Sequence, residues 1–415
     1  MTAPAPQLYP RTAALVFVWI TVLLDMMALG LVLPVLAPLV VQFMGGDDAK
    51  GAEMYALFGF AWAVMQLLFA PVLGSLSDRY GRRPVILLSN LGMGLDYVLM
   101  ALAPNLVWLF IGRVISGITA ASFSSAFAYV ADVTPAEKRA KAYGRIGAAF
   151  GVGFVLGPAL GGLLGHADPR LPFWVAAGLS LANFLYGLIV LPESLAPGKR
   201  TPFRIKAANP VGALSLLYGA GLTRYAAIKF LSDLAHVVLP STFVLFATYR
   251  FGWGAREVGL TLAGVGIGSL VVQGGLVEPI VEALGEAKAL VLGTVFGMLG
   301  FAIYGFAPNG SWAILGIPVM AFWGIANPAL QALMTRQVPA TDQGKLQGAG
   351  SSLTGVANLI GPLLFPLLFS WAISGNGVLH HPGSPFLLAS LLMAGAVTLA
   401  LRVPASSPRR RADER

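Results

Sequence analysis

Apolar stretches of near membrane-crossing length alternate with short polar connections along this chain, from about residue 13 to residue 402. Thr12 to Leu24 and Phe173 to Leu191 carry no charged side chain, and Val85 to Ala103 carries only Asp96. Such runs approach or reach the roughly 18 to 20 residues that cross a ~30 Å hydrocarbon core. They are continuously apolar and lack the residue-by-residue alternation of a membrane barrel. A helix satisfies its own backbone in lipid, so the pattern predicts helices. Twelve are expected, at 13–41, 53–78, 84–103, 106–131, 139–165, 171–192, 223–249, 257–282, 288–306, 311–335, 342–372 and 384–402. The expected fold class is an all-α membrane protein.

Composition agrees with lipid as the solvent. Charged residues make up 11% of the chain and hydrophobic ones 57%, where a soluble domain carries roughly a quarter charged residues. Mean hydropathy is +0.77. The first apolar run continues past Asp25 to Val41 without a small-residue cleavage site, so it is read as a retained helix. Cysteine is absent, which removes disulfides and thiolate metal sites. The four histidines, His166, His236, His380 and His381, form no H-E-x-x-H, and neither a phosphate-binding loop nor a nucleophile elbow is present. The expectation is no enzyme, no cofactor and no metal.

The net charge of +9 would suggest nucleic acid in a soluble protein. Here the basic residues instead fall into alternate loops. They collect at Arg79, Arg82 and Arg83, at Lys138, Arg139 and Lys141, at Lys199, Arg200, Arg204 and Lys206, and at Arg409, Arg410, Arg411 and Arg415. The opposite loops hold Lys50, Arg170, Arg250 and Arg256. By the positive-inside rule both termini and the 193–222 connection are expected in the cytoplasm, with the bilayer and not nucleic acid as the partner.

The chain also repeats itself. Pro135, Ala136, Lys141 and Gly144 recur as Pro339, Ala340, Lys345 and Gly348, each 204 positions later. Gly151, Val152, Gly157 and Pro158 recur at the same offset as Gly355, Val356, Gly361 and Pro362, and Gly81 recurs as Gly285. Two related six-helix bundles are therefore expected, at 1–192 and 223–402, with substrate handled where such repeats meet. Residues 193–222, with Pro192, Pro197, Pro202 and Pro210, read as a cytoplasmic linker, and 403–415 as a basic cytoplasmic tail.

Several motifs carry chemistry. Gly74-Ser-Leu-Ser-Asp78-Arg79-Tyr80-Gly81-Arg82-Arg83 sets one carboxylate among guanidiniums at a turn, an arrangement able to make and break charge-assisted bonds. Gly153, Gly157, Pro158 and Gly161 place small residues on one helix face, where backbones can approach closely. Within the apolar runs stand Asp25, Asp96, Arg113, Asp233 and His236, and charges there are costly enough to be functional candidates. Asp96 and Arg113 read equally as a polar clasp between neighbouring helices or as substrate contacts.

These residues resemble the major facilitator superfamily, over nearly the whole chain. Asp78 to Arg83 is similar to its signature between helices 2 and 3, and Gly153 to Gly162 to the motif of its antiporters. Leu24-Asp25 through Gly30 to Pro34, Gly94-Leu-Asp96-Tyr97, Gly112-Arg113 and Pro328-Ala-Leu-Gln331 resemble the tetracycline/proton antiporters. Two departures stand out: that family carries a His where Ser269 falls and an Asp where Gly297 falls. The second copy of the turn signature is also worn, with Glu278, Glu282, Ala283 and Ala287 at the places of Gly74, Asp78, Arg79 and Arg83.

The resemblance implies a proton-coupled secondary transporter of the bacterial inner membrane, acting as a monomer and exporting an amphipathic small molecule or drug. A proton-coupled importer of an organic nutrient is the alternative, since fold does not fix direction. Asp25, Asp96, Asp233 and His236 are the expected proton-coupling groups. Asp233 and His236 stand three apart on one helix face, and the expectation is that this pair replaces the family's missing His and Asp. Asp78, Arg79, Arg82 and Arg83 are expected to gate. Asp25, Gln66, Arg113, Phe322, Asn327 and Gln331 are expected to bind substrate.

Overall fold

The computed structural model describes residues 11–120, 122–135, 138–195, 198, 200–201, 222–374 and 380–404. Lys199, Arg204, Lys206, Pro197, Pro202 and Pro210 of the expected linker, and Arg409, Arg410, Arg411 and Arg415 of the expected tail, lie outside them. The regular elements of the described residues are all helical. Ten helical stretches are long and apolar enough to cross a membrane, and two shorter apolar helices accompany them.

The first five helices are α1 (Arg11–Phe43), α2 (Asp48–Tyr80), α3 (Arg82–Leu102), α4 (Leu106–Thr119) and α5 (Ser122–Val133). α6 (Arg139–Ala167) and α7 (Leu171–Val190) follow. After residue 222 come α8 (Thr223–Phe251), α9 (Ala255–Val271), α10 (Val277–Leu284), α11 (Glu286–Phe306), α12 (Gly310–Phe322), α13 (Ala326–Thr335), α14 (Gln343–Ile373) and α15 (Ser384–Ala400).

Three expected single helices are divided. The span 106–131 becomes α4 and α5. In the span 257–282, Val272–Leu276 forms a π turn between α9 and α10; Gly274 and Gly275 contribute the least helix-favouring residues there. In the span 311–335, the short 3₁₀ turn Trp323–Ile325 joins α12 to α13. Both irregular turns border the cavity described below.

The described residues fall into two compact units. One is drawn from Met1–Gly45, Phe58–Ala208 and Gly254–Ala263, the other from Gly46–Leu57, Asn209–Trp253 and Gly264–Arg415. In the first, Phe17, Val22, Met26, Ile86, Tyr129 and Ile146 form a buried cluster. In it, α1 packs closely on α6. A Cβ added at Gly157 would stand 2.8 Å from the Gly30 Cα, one at Gly161 would stand 2.7 Å from the Leu31 Cα, and one at Gly153 2.6 Å from the Met26 Cβ. The second unit has its own core around Ile228, Leu290, Ile325, Leu330 and Leu346.

The two units share punctuation at the 204-residue offset. Gly81 and Gly285 precede α3 and α11 with φ of 112° and 77°, conformations that a side chain disfavours. Asn105 caps α4 by accepting from the Val107 and Trp108 N–H groups, and Asn309 caps α12 by accepting from the Trp312 N–H. Arg170 donates to the Ala101 and Ala103 carbonyls at 3.0 and 2.9 Å. A basic residue on the sparsely basic side of the chain thus closes the C-terminal end of α3.

Candidate functional site

Three groups of polar side chains interrupt the apolar packing. In the first unit, Thr21 and Asp25 lie one turn apart on α1 and face Asn183 of α7. The Thr21 hydroxyl donates to Asn183 Oδ1 at 3.1 Å, and Asn183 Nδ2 donates to Asp25 Oδ1 at 3.3 Å. All three are buried, Asp25 being 2% exposed. The neutral amide thus links a hydroxyl to a carboxylate, accepting from one and donating to the other. Asn183, which the sequence reading passed over, is the one amide in an otherwise apolar run, and that isolation was the available signal.

Asp96 lies on α3, also buried. Arg113 and Ser116 of α4 oppose its carboxylate, although no hydrogen bond of full geometry reaches it among the described residues. Gly112 makes the approach possible, because a Cβ there would stand 2.8 Å from Asp96 Oδ1. Asp25, Asp96 and Arg113 are all within electrostatic reach of the Tyr97 hydroxyl. Arg113 also lies over the Trp62 ring, 5.6 Å from its centroid, as a cation on a π face. Gln66 is one turn beyond Trp62 on α2 and is half-buried.

The second group surrounds a cavity of about 290 Å³ in the second unit. Lys229, Asp233 and His236 of α8, Ser269 of α9, Gln273 of the π turn and Asn327 of α13 contribute its polar wall. Lys229 Nζ and the Thr354 hydroxyl both donate to Asp233 Oδ2, at 2.9 and 2.6 Å. The His236 ring meets Trp323, with centroids 5.4 Å apart. Asp233 therefore has donors in Lys229 and Thr354, while the imidazole has an aromatic neighbour. Phe322 stacks on Phe296 with centroids 5.0 Å apart, and its neighbour Trp323 is the ring on the cavity wall. Gln331 lies one turn past Asn327, its Nε2 buried without a hydrogen-bond partner among the described residues. Gly297, where the antiporters carry an acid, is packed: a Cβ would stand 2.8 Å from Trp323 and 2.9 Å from Met393.

The third group lies at the α2–α3 turn. Arg82, whose side chain is 12% exposed, bridges Asp78 at 2.5 Å and Asp132 of α5 at 3.1 Å. It also donates to Ser77 Oγ at 3.1 Å. Arg83 donates to the Leu188 carbonyl at 2.8 Å, and Arg79 lies over the Tyr80 ring. The carboxylate of Glu193, 111 residues away, accepts from the backbone N–H groups of Arg82 and Arg83 at 2.9 and 3.3 Å. It thus caps the first turn of α3, where an anion is favoured. The bare Cα of Gly81 admits it, since a Cβ there would stand 2.0 Å from Glu193 Oε2. The sequence motif named the guanidiniums but neither Asp132 nor Glu193.

The second unit holds a counterpart. Arg336 bonds Glu286 at 2.5 Å, and these two residues stand 204 positions after Asp132 and Arg82. The opposite charges at one pair of repeat positions were a signal legible in the sequence.

The chain's similarities to known proteins follow the same architecture. The family model described as Major Facilitator Superfamily matches residues 18–362 and 226–415. The tetracycline resistance protein of class C from Escherichia coli is 39% identical over 382 residues, covering 91% of this chain and 95% of that protein. The class H protein of Pasteurella multocida is 33% identical, covering 92% and 94%. Among solved structures, the D-xylose-proton symporter superimposes with a TM-score of 0.74 at 19% identity, covering 95% of this chain and 98% of that one. The chain belongs to the major facilitator superfamily of membrane transporters, alongside the tetracycline resistance proteins.

Proposed function

We propose that the protein is a proton-coupled antiporter that exports an amphipathic small molecule. The observation that carries this reading is 39% identity, over 91% of the chain, to a tetracycline resistance protein, combined with buried acids in the first unit. Asp25, held by a neutral amide, is the proposed proton-coupling carboxylate. A carboxylate buried among apolar helices has its charged form disfavoured, which suits a group that must gain and lose a proton. Asp96, opposed by Arg113, is a second site for the proton or for a polar group of the substrate.

The cycle alternates between states open to either side, with Asp25 protonated from outside and deprotonated inside. The Asp78, Arg79, Arg82 and Arg83 cluster is the proposed gate element at the membrane edge. Residues 1–192 and 223–402 are the proposed bundles, joined by 193–222. We infer that both termini are cytoplasmic, from the distribution of Lys and Arg, and that the protein works as a monomer in the bacterial inner membrane.

Reconstituted vesicles test the function. With an imposed inward-acid gradient, tetracycline and unrelated amphipathic drugs are added, and internal pH and drug uptake are read together. Proton movement opposite to the drug supports the reading; drug and proton moving together establish the importer instead.

A further inference from the structure

The cavity in the second unit contains a group whose chemistry the coupling scheme does not use. We propose that the Lys229 ammonium is the cavity's binding group for an anionic oxygen, a carboxylate or enolate, on the transported molecule. The assignment rests on the transport reading above and adds a ligand class to it.

The two charged partners are unequally attached. Asp233 Oδ2 accepts from donors on two helices, Lys229 one turn away on α8 and Thr354 on α14. If the ammonium swings away, the carboxylate still holds the hydroxyl at 2.6 Å. Buried charge left without a partner is costly, and Thr354 lowers that cost on the acid side. The ammonium also ends a flexible four-carbon stem with rotatable donors. That stem passes over Gly350, where a Cβ would come 3.4 Å from the Lys229 Cε, so α14 presents no side chain to obstruct it.

Charge decides the ligand's sign. While paired, Lys229 and Asp233 give the cavity wall no net charge, and the other titratable group on that wall, His236, can only add positive charge. A cationic ligand that approached Asp233 would sit beside the Lys229 ammonium, which is already paired with the same carboxylate. An anionic oxygen needs to recruit one mobile donor. Trp323 provides a flat apolar wall, and the amides of Gln273 and Asn327 can bond uncharged oxygens of the same molecule. The cavity volume of about 290 Å³ suits a compact aromatic acid.

The test uses the full-length protein in detergent with three acids, salicylate, 2-naphthoate and indole-3-acetate, each beside its uncharged carboxamide. Thermal shift and calorimetric titration are the measurements. At least one acid is expected to bind and to stabilise the wild type more than its amide does. Lys229→Gln should weaken that acid roughly tenfold or more, as loss of a charge-assisted bond does. Lys229→Arg should keep most of the affinity. Asp233→Asn should tighten acid binding, because the ammonium loses its internal competitor; this arm decides alone if Lys229→Gln does not fold. The assignment is overturned if no acid binds, if acids and amides bind alike, if Lys229→Gln leaves the affinity unchanged, or if Asp233→Asn weakens it. Coupled transport in vesicles with no acid binding removes the Lys229 assignment alone, whereas acid binding without proton-coupled transport removes the antiport reading.

Discussion

Glu286 and Arg336 form the bridge that Arg82 and Asp132 form 204 residues earlier, with the two charges exchanged. In both units the pair ties the start of a helix after a positive-φ glycine to a segment 50 residues on. The geometry of the repeat therefore needs opposite charges at these positions but not a fixed polarity. Coupling between Glu286 and Arg336 is expected at about 0.2 to 1 kcal/mol, the range of exposed ion pairs, because the arginine is 48% exposed. A double-mutant cycle on thermal unfolding measures it. The reversed pair, Glu286→Arg with Arg336→Glu, should recover most of the loss; a reversed protein no better than the single variants would refute the polarity argument.

Gly81→Ala tests the α2–α3 turn. The residue combines φ 112° and ψ 161° with the Glu193 carboxylate at its open face. A loss of about 1 to 3 kcal/mol is expected from the backbone conformation alone, with a further loss because Glu193 is pushed off the α3 amides. Glu193→Ala made on top of Gly81→Ala should therefore cost less than Glu193→Ala made alone. Gly144→Ala is the control, since it lies in α6 with no atom within 4 Å of the added methyl. It is expected to be neutral or mildly stabilising.

Asp25→Asn should abolish pH-driven transport while leaving a folded, ligand-binding protein, because an amide can replace the carboxylate as acceptor for Asn183 but cannot carry the proton. Asn183→Ala should shift the pH profile without abolishing transport. Transport by Asp25→Asn with the wild-type pH dependence would exclude this carboxylate from coupling.

Asp47 offers a pH test outside the membrane spans. Its Oδ1 accepts from the Lys50 backbone N–H at 3.0 Å, capping the start of α2, and bonds to Lys50 hold its carboxyl below the ordinary 3.8. A depressed folded-state value means the stabilisation is complete above the unfolded value and disappears as pH falls through the folded one. The stability advantage of wild type over Asp47→Ala should thus be level near pH 7 and shrink below about pH 3.8. A difference that grows on acidification would contradict the cap.

The helices, their order and the repeat were legible in the sequence because lipid imposes length and continuous apolarity on each span. Gly81 and Gly285 were legible as turns for the same local reason. Apart from Asp96 with Arg113, partners across helices were mostly not. The i,i+3 spacing of Asp233 and His236 placed them on one face, but it could not disclose that Lys229, at i,i+4, and Thr354, 121 residues on, would occupy the carboxylate. Nor could composition distinguish Phe322, stacked on Phe296, from Trp323 on the cavity wall, since a short 3₁₀ turn begins at Trp323 and changes the angular step per residue.

The cap that Glu193 places on α3 also has a schedule. At roughly 5 to 20 residues per second, the ribosome needs roughly 5 to 20 seconds to reach Glu193 after making Arg82, because 111 residues separate them. Until then the first amides of α3 have no carboxylate, and the α2–α3 turn is held by the bonds of Arg82 to Ser77, Asp78 and, once it is made, Asp132. The first residue of the connection thus completes one of the earliest turns of the half before it, so a nascent chain stopped before residue 193 carries α1 to α7 but an unfinished edge.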